Sequence, residues 1–470
     1  MHAADDAART TLVWLRDDLR ITDNPALAAA TDRGGPVVVV FVLDDDSAEV
    51  RPIGSASRWW LHHSLTSLAE RLAELGTPLV LRRGGAERVI QELVAETGAG
   101  AVLWNRRYSA AREIDARLKT RLREDGVEAE SFAANLLFEP HTVTNGSGEP
   151  YRVYTPFWRA CRQRDVRPLA PTPARLSAPP DPVPSDLLGS WQLLPTAPDW
   201  AGGIRDTWSP GEPDALIALN DFVDETLVDY GLRDQPSRSV TSRLSPRLRF
   251  GEVSPVQVWH RITSAVPGAD ATVADKFLGE LGWREFNWHV LYSFPQLAER
   301  NIRSEFDRFP WQSESEAGAE IEAWRHGRTG IPLVDAGMRE LWRTGYMHNR
   351  VRLAAASFLV KNLLVDWRVG ERWFWDTLVD ADEANNPGNW QWIAGSGMDA
   401  APYFRIFNPV LQAQKFDPER RYIRTWVPEV DSADYPEPVV DLALSRRRAL
   451  AAYESTKAGG AAGGPGRAPR

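Results

Sequence analysis

The sequence predicts an α/β domain built on a doubly wound, Rossmann-like parallel sheet, followed by an all-α domain. Three observations carry this expectation. Between residues 10 and 140, short apolar runs alternate with helical patterns at the spacing of βαβ units. From 165 to 213 the chain turns rich in Pro, Ser and Ala, as in PLAPTPARLSAPPDPVPSD, which reads as an ordered or semi-rigid linker without regular structure. Beyond Glu212 strand-like runs largely cease and helical periodicity takes over.

The elements run in order along the chain. TLVWL (11–15) and VVVVFVL (37–43) read as buried strands. Residues 57–75 have amphipathic spacing, with Ser57 as the expected N-cap and Gly76 just past the end. A strand is expected at 79–81, a helix at 86–97, a strand at 101–104 and a helix at 112–123. Neither GxGxxG nor GxxxxGK[ST] occurs, so no phosphate loop announces a ligand for this domain. Helices are expected at 213–230, 254–263, 273–294, 331–343, 347–367 and 371–378. The resulting division is 1–10 disordered, 11–140 α/β, 141–212 linker, 213–455 helical, and 456–470 a low-complexity disordered tail.

Composition narrows the function classes. With 470 residues the chain can bury a large core and hold two or three domains. No apolar run approaches the length of a bilayer span, so no membrane partner is expected. The opening MHAADDAARTT is acidic and polar, unlike a signal peptide, and a cytoplasmic location is expected. Cys161 is the only cysteine, which excludes an intramolecular disulfide and fits a reducing compartment. The eight histidines show no HExxH or Cys/His ligand spacing, and no metal is expected. A net charge of −9 argues against indiscriminate nucleic-acid binding but leaves room for a local basic face, and the basic residues are mostly Arg.

The densest stretch is DADEANNPGNWQWIAGSGMDAAPYFRIFNP, residues 380–409. Its first thirteen residues crowd acids, asparagines and two tryptophans beyond what core packing asks for. On a helix, Trp390 and Trp392 would point about 200° apart, one toward a cofactor and the other toward a second partner. Earlier in the chain, the TSRLS run (Thr241, Ser242, Arg243, Leu244, Ser245) offers hydroxyls and backbone N–H groups near a helix start, which suits a pyrophosphate. Glu280 and Trp283 stand three residues apart, on one helix face.

These stretches resemble the DNA photolyase and cryptochrome family. The likeness continues through SRLSPRLRFGEVSP (242–255), ELGWREF (280–286), TGYMHNRVRL (344–353), FLVKNLLVDWR (358–368) and LVWLRDDLRITDNPAL (12–27), and covers about residues 10–430. The resemblance implies an N-terminal light-harvesting domain and a helical FAD-binding domain. It assigns Thr241–Ser245 to the FAD phosphates, with Tyr230 and Leu244 as further FAD contacts. It sets Arg352, Asp380 and Asp382 around the isoalloxazine and the adenine–ribose end, and Asn386 at the flavin N5 edge. Plant cryptochromes carry Asp at the position of Asn386, so a neutral amide there points to photolyase.

The same resemblance makes Trp390, Trp367 and Trp311 a chain of oxidisable rings running from flavin to surface. It implies that Trp283 and Trp392 hold a flipped pyrimidine dimer between flat rings. Glu280 would hydrogen-bond the base edges, and Asn349 and Arg350 would meet substrate or phosphate. Arg233, Gln412 and Lys415 are candidates for gripping the strand backbone. One departure stands out: cyclobutane-dimer photolyases carry Met at the position of Leu353, and (6-4) photolyases carry His nearby. Leu353 keeps the pocket apolar and cannot act as an acid. The Asn-Glu pair with which some members hold a folate is not evident near Tyr108 (YSAAREID). A deazaflavin, a methenyltetrahydrofolate bound differently, or an empty antenna site all stay open.

The implied activity is light-driven DNA repair, a carbon–carbon lyase reaction. Cyclobutane pyrimidine dimers are split by electron transfer from photoexcited, reduced anionic FAD. The implied partner is UV-damaged DNA, and the protein is expected to be a monomer. The alternative is a cryptochrome-like blue-light receptor without repair. A nicotinamide-dependent flavin oxidoreductase lacks any dinucleotide fingerprint.

Overall fold

The computed structural model describes residues 9–265, 271–400 and 404–461. The chain divides into two compact units. The first comprises residues up to 151 with 155–230 and 241–295; the second comprises 152–154, 231–240 and the chain from 296 onward. Of the disorder expected at 1–10 and 456–470, residues 1–8 and 462–470 lie outside the described residues.

The first unit is built on a five-stranded parallel sheet in the order β3-β2-β1-β4-β5. Its strands are β1 (Thr11–Leu15), β2 (Val37–Leu43), β3 (Leu79–Arg83), β4 (Ala101–Asn105) and β5 (Glu128–Phe132). Strands β1 and β2 are buried along their whole length, because helices cover both faces of such a sheet. The connecting helices are α1 (Pro25–Asp32), α2 (Ser55–Leu75), α3 (Ala86–Thr97) and α4 (Arg112–Glu124). Burying each Val, Leu or Ile of this core is worth about 1.5–3 kcal/mol.

Two details differ from the sequence reading. Strand β5 (EAESF) was not expected: it is an edge strand paired only with β4, and its exposed Glu128 and Glu130 break the apolar run that marks its neighbours. Helix α2 begins two residues early, with Gly54 at the N-cap, and Ser57 is buried inside the first turn. The Pro-rich segment, expected to be ordered or semi-rigid, is pinned by backbone hydrogen bonds. The Leu176 amide donates to Leu75 O (2.7 Å), Val37 N donates to Ser177 O (2.7 Å) and Asp186 N donates to Leu81 O (2.8 Å), so it runs along the ends of the sheet elements. Gly76 ends α2 at φ +100°, where a Cβ would stand 2.8 Å from Leu176 O. Farther on, the first unit carries α5 (Ala271–Ser293).

The second unit is helical among its described residues. Its site is carried by α6 (Pro332–Thr344), α7 (Asn349–Ser357), α8 (Trp367–Thr377), α9 (Asn385–Ala394) and α10 (Pro409–Phe416). The continuous helix expected at 347–367 is broken. After α7 comes a π-helical turn at Phe358–Asn362, then Leu364 at φ +57°. Asp366 then caps α8 by accepting from Arg368 N at 2.9 Å, so Trp367 starts a new helix instead of ending an old one. The core of this unit gathers Trp324, Phe358, Trp367, Phe374 and Trp390, all nearly or fully buried. The last helix, α11 (Leu442–Ala461), runs into the segment expected to be a disordered tail.

Candidate functional site

Within the second unit, the polar cluster is built around the start of α9. Arg352, on α7, donates Nη1 to Asp380 Oδ1 (3.0 Å) and Nη2 to Asp380 Oδ2 (2.8 Å), and its Nε donates to Met347 O (2.6 Å). The planar guanidinium fork matches the two oxygens of the buried Asp380 carboxylate. Asp382 accepts from Ala384 N (2.8 Å) and Asn385 Nδ2 (2.7 Å), which organises the entry to α9. Asn386 donates Nδ2 to Glu371 O (3.0 Å) and to Glu371 Oε1 (2.9 Å). Both amide protons are thereby used, and the amide is oriented with Oδ1 as its remaining hydrogen-bonding atom. Glu371 is buried on α8, and the sequence reading missed it. Its signal was present: an acid one turn after Trp367, on the face that α8 buries.

Helix α9 separates its two tryptophans as the spacing implies. Trp390 is buried, with its ring 4.9 Å from Phe374 and 6.2 Å from Trp324. Half-buried Trp392 lies 6.3 Å from Phe407, and the Arg405 guanidinium sits 4.8 Å over its ring. Gly370 is what allows α8 to approach Trp390, since a Cβ there would lie 2.1 Å from the indole Cη2. Trp367 stands three residues before Gly370 on the same helix, is fully buried, and donates Nε1 to Asn301 Oδ1 at 2.9 Å. Trp311 is half-buried, 4.2 Å from Phe309, and its Nε1 has no hydrogen-bond partner among the described residues. The next residue, Gln312, bridges to Val365 and donates N to Leu364 O (2.8 Å). Trp311 therefore lies beside the segment leading into α8, and α8 abuts Trp390. The three tryptophans stand on neighbouring elements of one unit.

The other expected residues of this unit gather near the start of α7 and on α10. Asn349 is exposed at the start of α7. His348 caps that helix by accepting at Nδ1 from Arg350 N (3.2 Å), and burial pushes its pKa down to about 4. Arg350 is engaged by Asp234 at 2.6 Å and lies 4.5 Å over the Phe416 ring, so the first partner of its guanidinium is a carboxylate of the chain itself. Arg233, next to Asp234, is half-buried. Leu353 packs against the helical core. Gln412 is half-buried on α10, and its Oε1 has no partner among the described residues; Lys415 is exposed.

The remaining expected residues belong to the first unit. Tyr230 is buried between Phe222 (5.7 Å) and Phe277 (5.3 Å), edge-on to both. The Thr241–Ser245 loop leads into the short helix Ser245–Arg249. In it, Ser242 Oγ accepts from Leu244 N (3.4 Å), Leu244 is buried, and Arg243 sits at φ +50° with its guanidinium 4.2 Å over Trp208. Glu280 and Trp283 share a face of α5, both half-buried, and Trp283 meets Phe286 edge-on at 5.8 Å.

A cleft that the sequence did not announce opens beyond the carboxyl ends of β1 and β4, where the strand order reverses. Arg106, Arg107, Asn135, Arg249, Arg284 and Trp288 line it. Its arginines are tied to acids: Arg107 to Asp115 at 2.8 Å, Arg249 to Asp17 at 2.5 Å, and Arg106 and Arg284 at 3.4 Å to Glu139 and Glu285.

Comparison with known proteins finds relatives along most of the chain. The model of the DNA photolyase family matches residues 11–178, and that of the FAD binding domain of DNA photolyase matches residues 277–434. The chain is 47% identical to a deoxyribodipyrimidine photo-lyase of Agrobacterium fabrum, over 95% of this chain and 98% of that protein. It is 37% identical to cryptochrome-2 of Arabidopsis thaliana, over 90% of this chain and 71% of that protein. Among solved structures, a bacterial class III photolyase from Agrobacterium tumefaciens superposes with a TM-score of 0.92 at 46% identity, covering 96% of this chain and 98% of the other.

Proposed function

The chain belongs to the DNA photolyase family, and we propose that it is a deoxyribodipyrimidine photo-lyase, a light-driven enzyme that splits cyclobutane pyrimidine dimers in UV-damaged DNA. The observation that carries the reading is Asn386, a neutral amide held by Glu371 with Oδ1 left as the acceptor. That atom suits a protonated ring nitrogen of the reduced cofactor, which an acid at this position would serve differently.

The cofactor is FAD, in keeping with the FAD-binding domain spanning 277–434. The residues fit it. Asp380 and Asp382 are buried acceptors for hydroxyl and ring N–H groups, Arg352 balances Asp380, and Asn386 presents its oxygen. Tyr230 and the Thr241, Ser242, Arg243, Leu244 and Ser245 loop are assigned to the remainder, with hydroxyls and a cation suited to phosphates. When bound as the reduced anion and excited by light, FAD supplies one electron to the lesion and regains it after two carbon–carbon bonds break.

The chain's own residues supply position and a dry environment. A dimer inside a duplex must be extruded, and a damaged pair costs least to unstack. Trp283 and Trp392 each offer a flat face in place of lost stacking, worth about 1–3 kcal/mol per base. Glu280 hydrogen-bonds the base edges, and Leu353 excludes water. Asn349, Arg350, Arg233, Gln412 and Lys415 meet the sugar–phosphate strand, with Arg350 exchanging Asp234 for a phosphate. Trp390, Trp367 and Trp311 pass electrons one at a time toward oxidised cofactor.

The arginine-lined cleft lies at a topological switch point, where open α/β sheets bind ligands. Its cations and Trp288 suit an antenna pigment with a flat ring and anionic groups, a class that includes deazaflavin and methenyltetrahydrofolate. Arg249→Ala is expected to lower pigment retention without loss of FAD, read from absorbance after gel filtration; unaltered retention of both pigments would remove the cleft from the reading. Among the described residues no helix is long and apolar enough to cross a membrane, and a cytoplasmic monomer fits the reading.

A second reading, a blue-light receptor that does not repair, is favoured by the likeness to a plant cryptochrome and by Leu353 in place of Met. Binding separates the two. The reduced protein is expected to prefer an oligonucleotide with one thymine dimer over its undamaged twin, and to lose that preference in Glu280→Ala. Equal affinity for both DNAs would favour the receptor.

A further inference from the structure

We propose that Asn301, oriented by Asp307, is a positioning residue that keeps the proton on Trp367 while that ring carries positive charge. The inference rests on the reading of Trp390, Trp367 and Trp311 as an electron relay, and adds residues outside the relay to it.

The geometry is a short chain of hydrogen bonds. Trp367 is fully buried, and its Nε1 donates to Asn301 Oδ1 at 2.9 Å. Asn301 is itself buried, and its Nδ2 donates to Asp307 Oδ1 at 2.7 Å. An amide has a donor end and an acceptor end. The ionised carboxylate only accepts, so it claims Nδ2 and leaves Oδ1 for the indole. Asp307 is solvent-exposed, so its charge is screened and its effect on Trp367 runs through the orientation of the amide.

The identity of the acceptor decides the fate of the proton once the ring is oxidised. An indole that has lost one electron is a far stronger acid at nitrogen than the neutral ring. A carboxylate or imidazole in hydrogen-bond contact takes that proton and leaves a neutral radical, which is a weaker oxidant than the cation and regains the neutral ring only with both an electron and a proton. An amide oxygen is too weak a base to take it. It stabilises the cation instead, through a charge-assisted hydrogen bond. Electrons and protons balance at each station. One electron leaves Trp367 for the oxidised Trp390 ring, and the proton stays on Trp367 Nε1. One electron from Trp311 then restores Trp367, and an external thiol gives the electron that refills Trp311, releasing its own proton to solvent. Nothing at the middle station waits for a proton.

The test is flash photolysis of the purified protein with oxidised FAD, read as the absorption of the tryptophan radical and then as steady photoreduction with thiol. Asn301→Asp puts an ionisable acceptor at the same place. Its radical signal is expected to shift from cationic to neutral, the more so as pH rises, and its photoreduction rate to fall several-fold. Asp307→Asn frees the amide to turn and is expected to slow photoreduction, while Asp307→Glu restores it; this exposed position keeps the test available if Asn301→Asp does not fold, which flavin content and melting temperature report. Trp367→Phe separates the two layers of the argument. Normal photoreduction in Trp367→Phe would remove the relay itself. Loss of photoreduction in Trp367→Phe, with wild-type radical signals and rates in both Asn301→Asp and Asp307→Asn, would overturn the role of Asn301 alone.

Discussion

Arg352 and Asp380 form a two-bond pair, Nη1 to Oδ1 at 3.0 Å and Nη2 to Oδ2 at 2.8 Å, with the Asp380 side chain only 4% exposed. Removing the cation takes the two-bond partner away from a buried carboxylate. Arg352→Ala is therefore expected to destabilise the protein by about 3–5 kcal/mol and to shed FAD. Asp380→Asn, which leaves the more exposed partner unpaired, is expected to cost less. Urea melts and flavin absorbance after desalting check both; equal stability of Arg352→Ala and wild type would contradict the ion-pair argument.

Asn386→Asp brings a second carboxylate to the place where Nδ2 now lies 2.9 Å from Glu371 Oε1. Like charges at that distance raise the pKa of the pair and disfavour further negative charge nearby. The variant is expected to bind FAD but to resist its full reduction, with a more negative potential in a redox titration. Identical titration curves would remove Asn386 from the flavin edge.

Trp283→Ala removes a flat ring from the face that α5 shares between Glu280 and Trp283. A loss of about 1–3 kcal/mol in affinity for dimer-containing DNA is expected, with flavin content unchanged. Fluorescence anisotropy with damaged and undamaged oligonucleotides measures it. Undiminished preference for damage would mean that Trp283 only packs on Phe286.

Glu285 and His289 stand one turn apart on α5 and clasp the same backbone segment: Glu285 Oε2 accepts from Leu137 N (3.0 Å), and His289 Nε2 donates to Phe138 O (3.1 Å). Burial pushes Glu285 up to about 7 and His289 down to about 4. The contribution of Glu285 is fully present below its unfolded pKa of 4.5 and is lost as pH rises through 7. That of His289 is present above 6.5 and is lost as pH falls through 4. Between 4.5 and 6.5 the two oppose each other. Glu285→Gln is expected to remove the first trend, so that its stability relative to wild type rises by about 1.4 kcal/mol per pH unit across the interval from 4.5 to 7. A difference independent of pH would show that Glu285 is ionised throughout in the folded protein.

Much of this was legible in the sequence, for physical reasons that differ by element. Strands β1 and β2 are continuous apolar runs because both faces are covered, and such runs announce themselves. β5 does not, because an edge strand with Glu128 and Glu130 on its exposed side carries only half the signal. The break before Trp367 was hidden because its causes, a π-helical turn and Leu364 at positive φ, leave no Gly or Pro behind. Trp390 and Trp392 were legible as a pair facing opposite ways because helical spacing alone dictates it. Glu371, Asn301 and Asp234 were not, since their roles are set by contacts across elements that are remote in sequence.

The measurement that tests the central claim most directly is the light-dependent restoration of thymines in an oligonucleotide carrying one thymine dimer, using the purified protein with chemically reduced FAD. Restoration under blue light and none in darkness is the expected result, and it would show that Leu353 serves in place of Met. Bound, fully reduced FAD with no restored thymine under illumination would contradict the repair function and leave the receptor reading in its place.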